Sequence, residues 1–213
     1  MPKTKITRSN ARTAAHSLGA NVWQFDYTTI VTIWMLYLVE FADWNSQAKI
    51  GYGCGNNSST ENVGASDAMQ YHTGTMQANR TNYGVGVQYR YIEGLWDNVF
   101  DWMDGCHFSA NGMSVILNPN NFSDTRNGTV IGTPSSGYSS TFAVSDWAIY
   151  PNSTTEGSSS TGSCDTWNYN SSYPCLCCGS DCYRHENYGL FCVYSGGVSY
   201  AVSNVGFRVI VLP

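Results

Sequence analysis

Between Ser172 and Gly197 the chain reads SYPCLCCGSDCYRHENYGLFCVYSGG, which sets Cys175, Cys177, Cys178, Cys182 and Cys192 around His185. Thiolates and imidazoles are ligands for zinc and soft metals, and a thiol beside a base is a nucleophile. Structural zinc sites draw their ligands as two spaced pairs from separate turns. The spacing here is irregular, and adjacent Cys177 and Cys178 point in different directions if the backbone is extended. His185 reads as an exposed polar side chain. A nucleophilic thiol needs a base or a positive environment to lower its pKa. His185 lies three residues from Cys182 with Arg184 between them, but no further His or Asp is clearly paired with either. A disulfide framework needs an oxidising compartment, and no secretory signal is seen. Asp97, Asp101 and Asp104 sit in an aromatic motif that reads as structural, and GVG at Gly84–Gly86 lacks the rest of a phosphate-binding loop. No metal site, cofactor or catalytic residue is expected.

The same segment reads better as surface chemistry. Tyr169, Tyr183, Tyr188, Tyr194 and Tyr200 lie among Ser, Asn, Gly, Asp and His. Antibody paratopes favour this mixture, because Tyr offers a large contact area for few rotatable bonds while Ser, Gly and Asn adapt their hydrogen bonds. The expected contact positions are Trp167, Tyr169, Asp181, Cys182, Tyr183, Arg184, His185, Asn187, Tyr194, Ser199, Tyr200 and Asn204. Tyr and Trp would anchor a ligand, and the polar members would tune specificity.

The chain that must position them has 213 residues, 42% of them hydrophobic, enough for a real core. Only 12% are charged, about half the usual share of roughly 25%. The net charge of −5 provides no basic field for nucleic acid. The positive residues concentrate in MPKTKITRSNAR, so residues 1–12 are expected to be a flexible leader or linker before a single domain at 13–213. Tyr27–Trp44 reads as the main helix, capped by Asp26 or Thr28, with Ile30, Ile33, Trp34, Tyr37, Leu38 and Phe41 at helical spacing. Its apolar run is short of the roughly 18–20 residues that cross a bilayer, so no membrane insertion is expected. SDAMQYHTGTM suggests a second, shorter helix. Val85, Val87, Tyr89 and Tyr91 alternate as in a strand; Ser114–Leu117, Thr129–Ile131 and Phe142–Ile149 are further short extended segments. At the end, Val205, Phe207, Val209 and Val211 alternate like a half-buried strand. The fold class expected is α+β, with one or two helices, short antiparallel strands and extensive ordered loops.

Three stretches resemble one family. GLWDNVFDWMDG (Gly94–Gly105) is similar to the GNVWEW signature of formylglycine-generating-enzyme-like domains. NVGFRVIVLP is similar to their closing GFR strand at Gly206, Phe207 and Arg208, and PCLCCGSD sits where they carry an Arg-Gly-Gly-Ser-like turn. The resemblance implies a C-type-lectin-like fold over residues 13–213. Within that group the chain looks most like the variable proteins of diversity-generating retroelements, through Leu38–Gly53 and the ending near Gly206. In that system an error-prone reverse transcriptase rewrites adenines, so that Asn codons become Tyr, Ser, Asp, His or Cys. Cys164–Asn204 has the look of such a variable region.

The resemblance therefore implies a ligand- or receptor-binding protein with a hypervariable patch. Its partner would be a protein or glycan, and its setting a phage tail or cell surface, as part of a larger assembly. Two alternatives stay open. One is an oxidase of the formylglycine-generating type with Cys177 and Cys182 binding a metal such as Cu(I). Cys182 does not sit at that branch's offset from Gly179-Ser180, however. The other is a calcium-dependent lectin, for which no cluster of carboxylates and amides is seen near the patch. Trp96, Asn98, Trp102, Phe207 and Arg208 are assigned to the scaffold.

Overall fold

A computed structural model describes residues 1–213 except 55–58, 76–85, 126–127, 146, 162, 185–187 and 213. The fold is mixed α/β, mostly short strands with few helices. A six-stranded sheet forms its centre, in the order Val205–Gly206, Phe100–Met103, Cys175–Cys178, Val193–Gly196, Thr166–Trp167, Gly137–Tyr138. Most strand pairs are antiparallel, as expected, but two in this sheet are not. Val205–Gly206 runs parallel to Phe100–Met103, and Thr166–Trp167 parallel to Val193–Gly196. Longer connections, rather than hairpins, lead into both pairs.

Both faces of this sheet are covered. Leu176, Cys178, Val193 and Met103 join the main core with Trp34, Tyr37, Trp96, Trp167 and Phe191. Cys175, Cys177, Phe100, Trp102 and Cys192 point the other way, into a second cluster closed by Ala11 and Val205. Alternate side chains of an extended strand face opposite sides, so CLCC divides its thiols between two cores. Cysteine is a small apolar filler in this setting.

Helix α2 (Tyr27–Phe41) covers the main core. The Asp26 carboxylate caps it by accepting from Thr29 N at 2.7 Å. Ala42 ends it in the left-handed conformation, donating to Leu38 O at 2.9 Å. Trp34 reaches across the core to donate its indole N–H to Leu190 O at 2.8 Å. Among the described residues, no helix is long and apolar enough to cross a membrane.

The leader is not a flexible appendage, a correction to the sequence reading. Thr4 bridges Gly206, and Arg8–His16 form helix α1, capped by Thr7. Arg8 is fully buried and donates to Cys106 O (2.7 Å), Met103 O and Ser123 O, besides pairing with Asp124 at 3.1 Å. Arg12 forks onto both oxygens of buried Asp104 and also reaches Asp124. Arg8 and Arg12 of the leader are thus paired with carboxylates about a hundred positions away. Burial alone would raise the Asp124 carboxyl, but Arg8 and Arg12 outweigh it and hold it below the usual range.

Other expectations shift for local reasons. Ser66–Thr75 contains turns and the short strand Gly74–Thr75 rather than a helix; Met76, the last residue of that stretch, lies outside the described residues. The extended segment near Tyr89 is confined to Val87–Tyr89, since Arg90 and Tyr91 turn at positive φ; Val85 lies outside the described residues. Phe142–Ile149 is two strands, Thr141–Ser145 paired with Ala148–Ser153. The closing strand breaks after Gly206 and resumes at Val209–Val211 against Val22–Gln24. This leaves Val209 and Val211 exposed, while Ile210 packs on the core. Arg208 turns inward at the break, paired with Asp101 and donating to Glu93 O and Gly94 O.

Arg8→Ala strands several buried acceptors at once and leaves Asp124 with Arg12 as its ion-pair partner. It is expected to cost about 3–5 kcal/mol, read as a lower midpoint in urea unfolding. A cost below ~1 kcal/mol would contradict a structural role for the leader.

Candidate functional site

Three loops leave the central sheet and carry most of the expected contact positions. The first follows Cys178. Gly179 adopts φ +76 and donates to Cys192 O; a Cβ there would meet Leu95 O at 2.5 Å, so the turn requires glycine. Cys182 N donates to Asn98 O at 3.0 Å, and the buried Asp181 carboxylate accepts from Tyr183 N and from Asn204 Nδ2. Arg184 stands 3.8 Å from that carboxylate. Its guanidinium lies 4.8 Å from the Tyr188 ring centroid, 5.3 Å from Tyr194 and 5.9 Å from Phe100. Asp181 and the aromatic rings hold Arg184 in place, and Tyr183 projects outward, half exposed.

The second loop runs through Gly189 to Cys192 and is pinned from below. The buried Asp165 carboxylate accepts from Gly189 N at 2.6 Å and Phe191 N at 2.9 Å, while Ser46 Oγ accepts from Leu190 N at 2.9 Å. Burial nevertheless pushes the Asp165 carboxyl up to about 6. A Cβ on Gly189 would lie 2.4 Å from Ser46 Oγ and 2.9 Å from the Asp165 carboxylate.

The third loop follows Val193–Gly196. Gly196 lies on the Trp102 ring, so close that a Cβ would meet it at 2.7 Å, and Tyr200 sets its ring edge-on to the same indole at 6.4 Å. Tyr200 N closes the turn onto Gly197 O at 3.0 Å. Tyr173, Tyr194 and Tyr200, with Ser195 and Ser199, surround a groove of about 300 Å³ floored by Gly196 and Gly197. A larger cavity of about 640 Å³ lies elsewhere, between Met1–Lys3, Val63–Gly64 and Phe207–Arg208. Its main charged groups are already committed: Glu93 accepts from three backbone amides and the Ser66 hydroxyl, and Arg208 binds Asp101. The smaller groove is the better candidate because its polar groups are less committed.

The expected contact positions separate by burial. Tyr183, Ser199 and Tyr200 are exposed; Arg184 and Tyr194 are partly so. Trp167, Asp181 and Cys182 are buried, so their expected place as contact residues is corrected. Trp167 fills the main core, Asp181 turns inward to three partners, and Cys182 follows the backbone tie to Asn98. Tyr169 and Asn204 are partly buried; Tyr169 spends its hydroxyl on Ser109 O, and Asn204 its amide on Asp181. His185 and Asn187 lie outside the described residues. Tyr173 was missed by the sequence reading. Its one clue is Pro174, which favours an extended Tyr173 at the mouth of the cysteine strand.

All eight cysteines are buried and unpaired. Burial raises the thiols of Cys177, Cys178 and Cys192 well above their ordinary value, and pushes Cys175 and Cys182 up to about 11. A neutral thiol is a poor nucleophile and a poor ligand. Among the described residues, no group of three or more His, Cys, Asp or Glu side chains is arranged to hold a metal ion. Compared with known proteins, the chain matches no protein-family model and no curated protein.

Gly189→Ala is expected to cost about 1–3 kcal/mol by overpacking, measured by urea unfolding. The Asp165 carboxyl takes up its proton near pH 6 in the folded state, above the roughly 3.9 of an unfolded aspartate. Its contribution to stability is therefore greatest below that lower value and is lost as pH rises through about 6. Stability measured from pH 3.5 to 7.5 should show this fall, and Asp165→Asn should flatten it. An unchanged profile in the variant would assign the slope to other groups.

Proposed function

We propose that the chain is a non-enzymatic ligand-binding protein of the diversity-generating-retroelement type, built on a C-type-lectin-like scaffold of the formylglycine-generating-enzyme-like kind. One observation carries the reading. Within residues 164–204, outward-facing Tyr173, Tyr183, Ser199 and Tyr200 are interleaved with side chains locked into a sheet that is buried on both faces. Such a segment can change its outer residues without disturbing what holds them.

The packing of the motif residues supports the scaffold assignment. Val205–Gly206 runs beside Phe100–Met103, and Arg208 pairs with Asp101, so the two motifs that carry the resemblance lie against each other. Trp96 and Trp102 are fully buried, and Asn98 is bonded through both side-chain ends to Glu61. The raised thiol pKa values favour binding over oxidase chemistry at Cys177 and Cys182. Rigid presentation matters energetically, because each side chain immobilised on binding costs roughly 0.5–1.5 kcal/mol.

The coding DNA tests the class. The reading predicts a near-copy of the stretch for residues 164–204, differing at adenines and lying beside a reverse transcriptase gene. Lack of such a copy in the source genome would remove the diversification claim. At the protein level, Tyr183→Ser, Ser199→Tyr and Tyr200→Asn should each shift stability by no more than about 0.5 kcal/mol. Trp167→Ala should cost about 3–5 kcal/mol. Comparable losses at all four positions, measured by urea unfolding, would contradict a separate display surface.

A further inference from the structure

We infer that the groove between Tyr173 and Tyr200 takes a neutral saccharide, bound without a metal ion; this rests on the ligand-binding reading above and names its ligand class. The groove holds about 300 Å³, the low end of small-molecule sites and room for roughly one or two sugar rings. Among the described residues its lining contains aromatic rings, serines and glycines, with no charged and no aliphatic side chain. A sugar ring presents a face of C–H groups to an aromatic ring and hydroxyls around its rim. Tyrosine meets both, with an apolar body and a polar tip.

Of the groove's hydroxyls, Ser195 Oγ is spent on Asn168 Oδ1 at 2.7 Å, and the others have no partner among the described residues. Tyr27, Tyr150 and Tyr169 each donate to a backbone carbonyl elsewhere in the fold. The phenols of Tyr173, Tyr194 and Tyr200, and the hydroxyl of Ser199, make no hydrogen bond to any described residue. The rings are nonetheless placed in advance. Tyr200 rests edge-on against Trp102, and Tyr194 packs 5.8 Å from Phe100 beneath the Arg184 guanidinium. Gly196 keeps the floor low because Trp102 leaves no space for a Cβ. Oriented donors and acceptors on fixed rings reduce the ordering cost of binding.

Other ligand classes fit less well. An anion would find Arg184 nearby, but that cation already faces the Asp181 carboxylate. A peptide anchored by an aliphatic side chain would find no aliphatic wall. Among the described residues no carboxylate lines the groove, so they offer calcium no ligand set there.

The test is a titration of the full chain, in EDTA, with neutral hexose and N-acetylhexosamine oligosaccharides and with sialylated and sulfated counterparts. Binding is followed by NMR of ring-labelled tyrosine. At least one neutral oligosaccharide should bind and shift Tyr173, Tyr194 or Tyr200 resonances. Tyr173→Ala and Tyr200→Ala should each weaken binding about tenfold or more, with unchanged thermal melting. Tyr200→Phe, which keeps the ring and loses the hydroxyl, should fall between. A panel with no neutral binder, a requirement for calcium, or full binding in both alanine variants overturns the inference. Binding of a protein partner through these same tyrosines, with every saccharide silent, would overturn the saccharide and leave the ligand-binding reading standing.

Discussion

The strand Cys175–Cys178 is buried on both faces, and the rest of the structure depends on that constraint. A strand so placed cannot alternate apolar with polar; every position must tolerate an apolar neighbour. CLCC meets the demand with three small thiols and a leucine. The burial that makes these residues good filler also raises their thiols above the ordinary value, which disfavours the reactive thiolate. Loops that leave such a strand start from a fixed point, and the exposed tyrosines inherit that fixity.

Buried ion pairs close the edges of this arrangement. Arg8 and Arg12 tie the N-terminal segment to Asp104 and Asp124, and Arg208 ties the closing segment to Asp101. In a low-dielectric setting such pairs are no certain source of net stability, but breaking one leaves an uncompensated charge. They tie segments distant in sequence to one another. The N-terminal segment holds the outer strand through the Thr4–Gly206 bridge, and Trp102 donates to Ile6 O beneath the tyrosine groove.

Legibility in the sequence followed the range of the interactions. The α2 helix was readable because its periodicity and its Asp26 cap are local, and the opposed directions of Cys177 and Cys178 follow from strand geometry alone. The role of Arg8 was not readable, since its partners lie about a hundred residues away and a basic terminus looks solvated. At the closing strand, Val205 and Phe207 suggested an alternation that Arg208 interrupts by turning in toward Asp101. The patch was half legible. Residue types located the tyrosines, but nothing in DTW or SDCY shows that Trp167, Asp181 and Cys182 face inward. Tyr173 escaped notice because it enters the groove through the Cys175–Gly196 pairing, a contact between strands.

The central claim is that a rigid sheet carries an exchangeable surface. Amide hydrogen exchange measures it most directly, on the native chain and on a variant with Tyr183→Ser, Ser199→Tyr and Tyr200→Asn combined. The account predicts that amides of Phe100–Met103, Cys175–Cys178 and Val193–Gly196 exchange only through global unfolding, with the same protection in both proteins. Loss of protection in these strands when only the three surface residues change would contradict it.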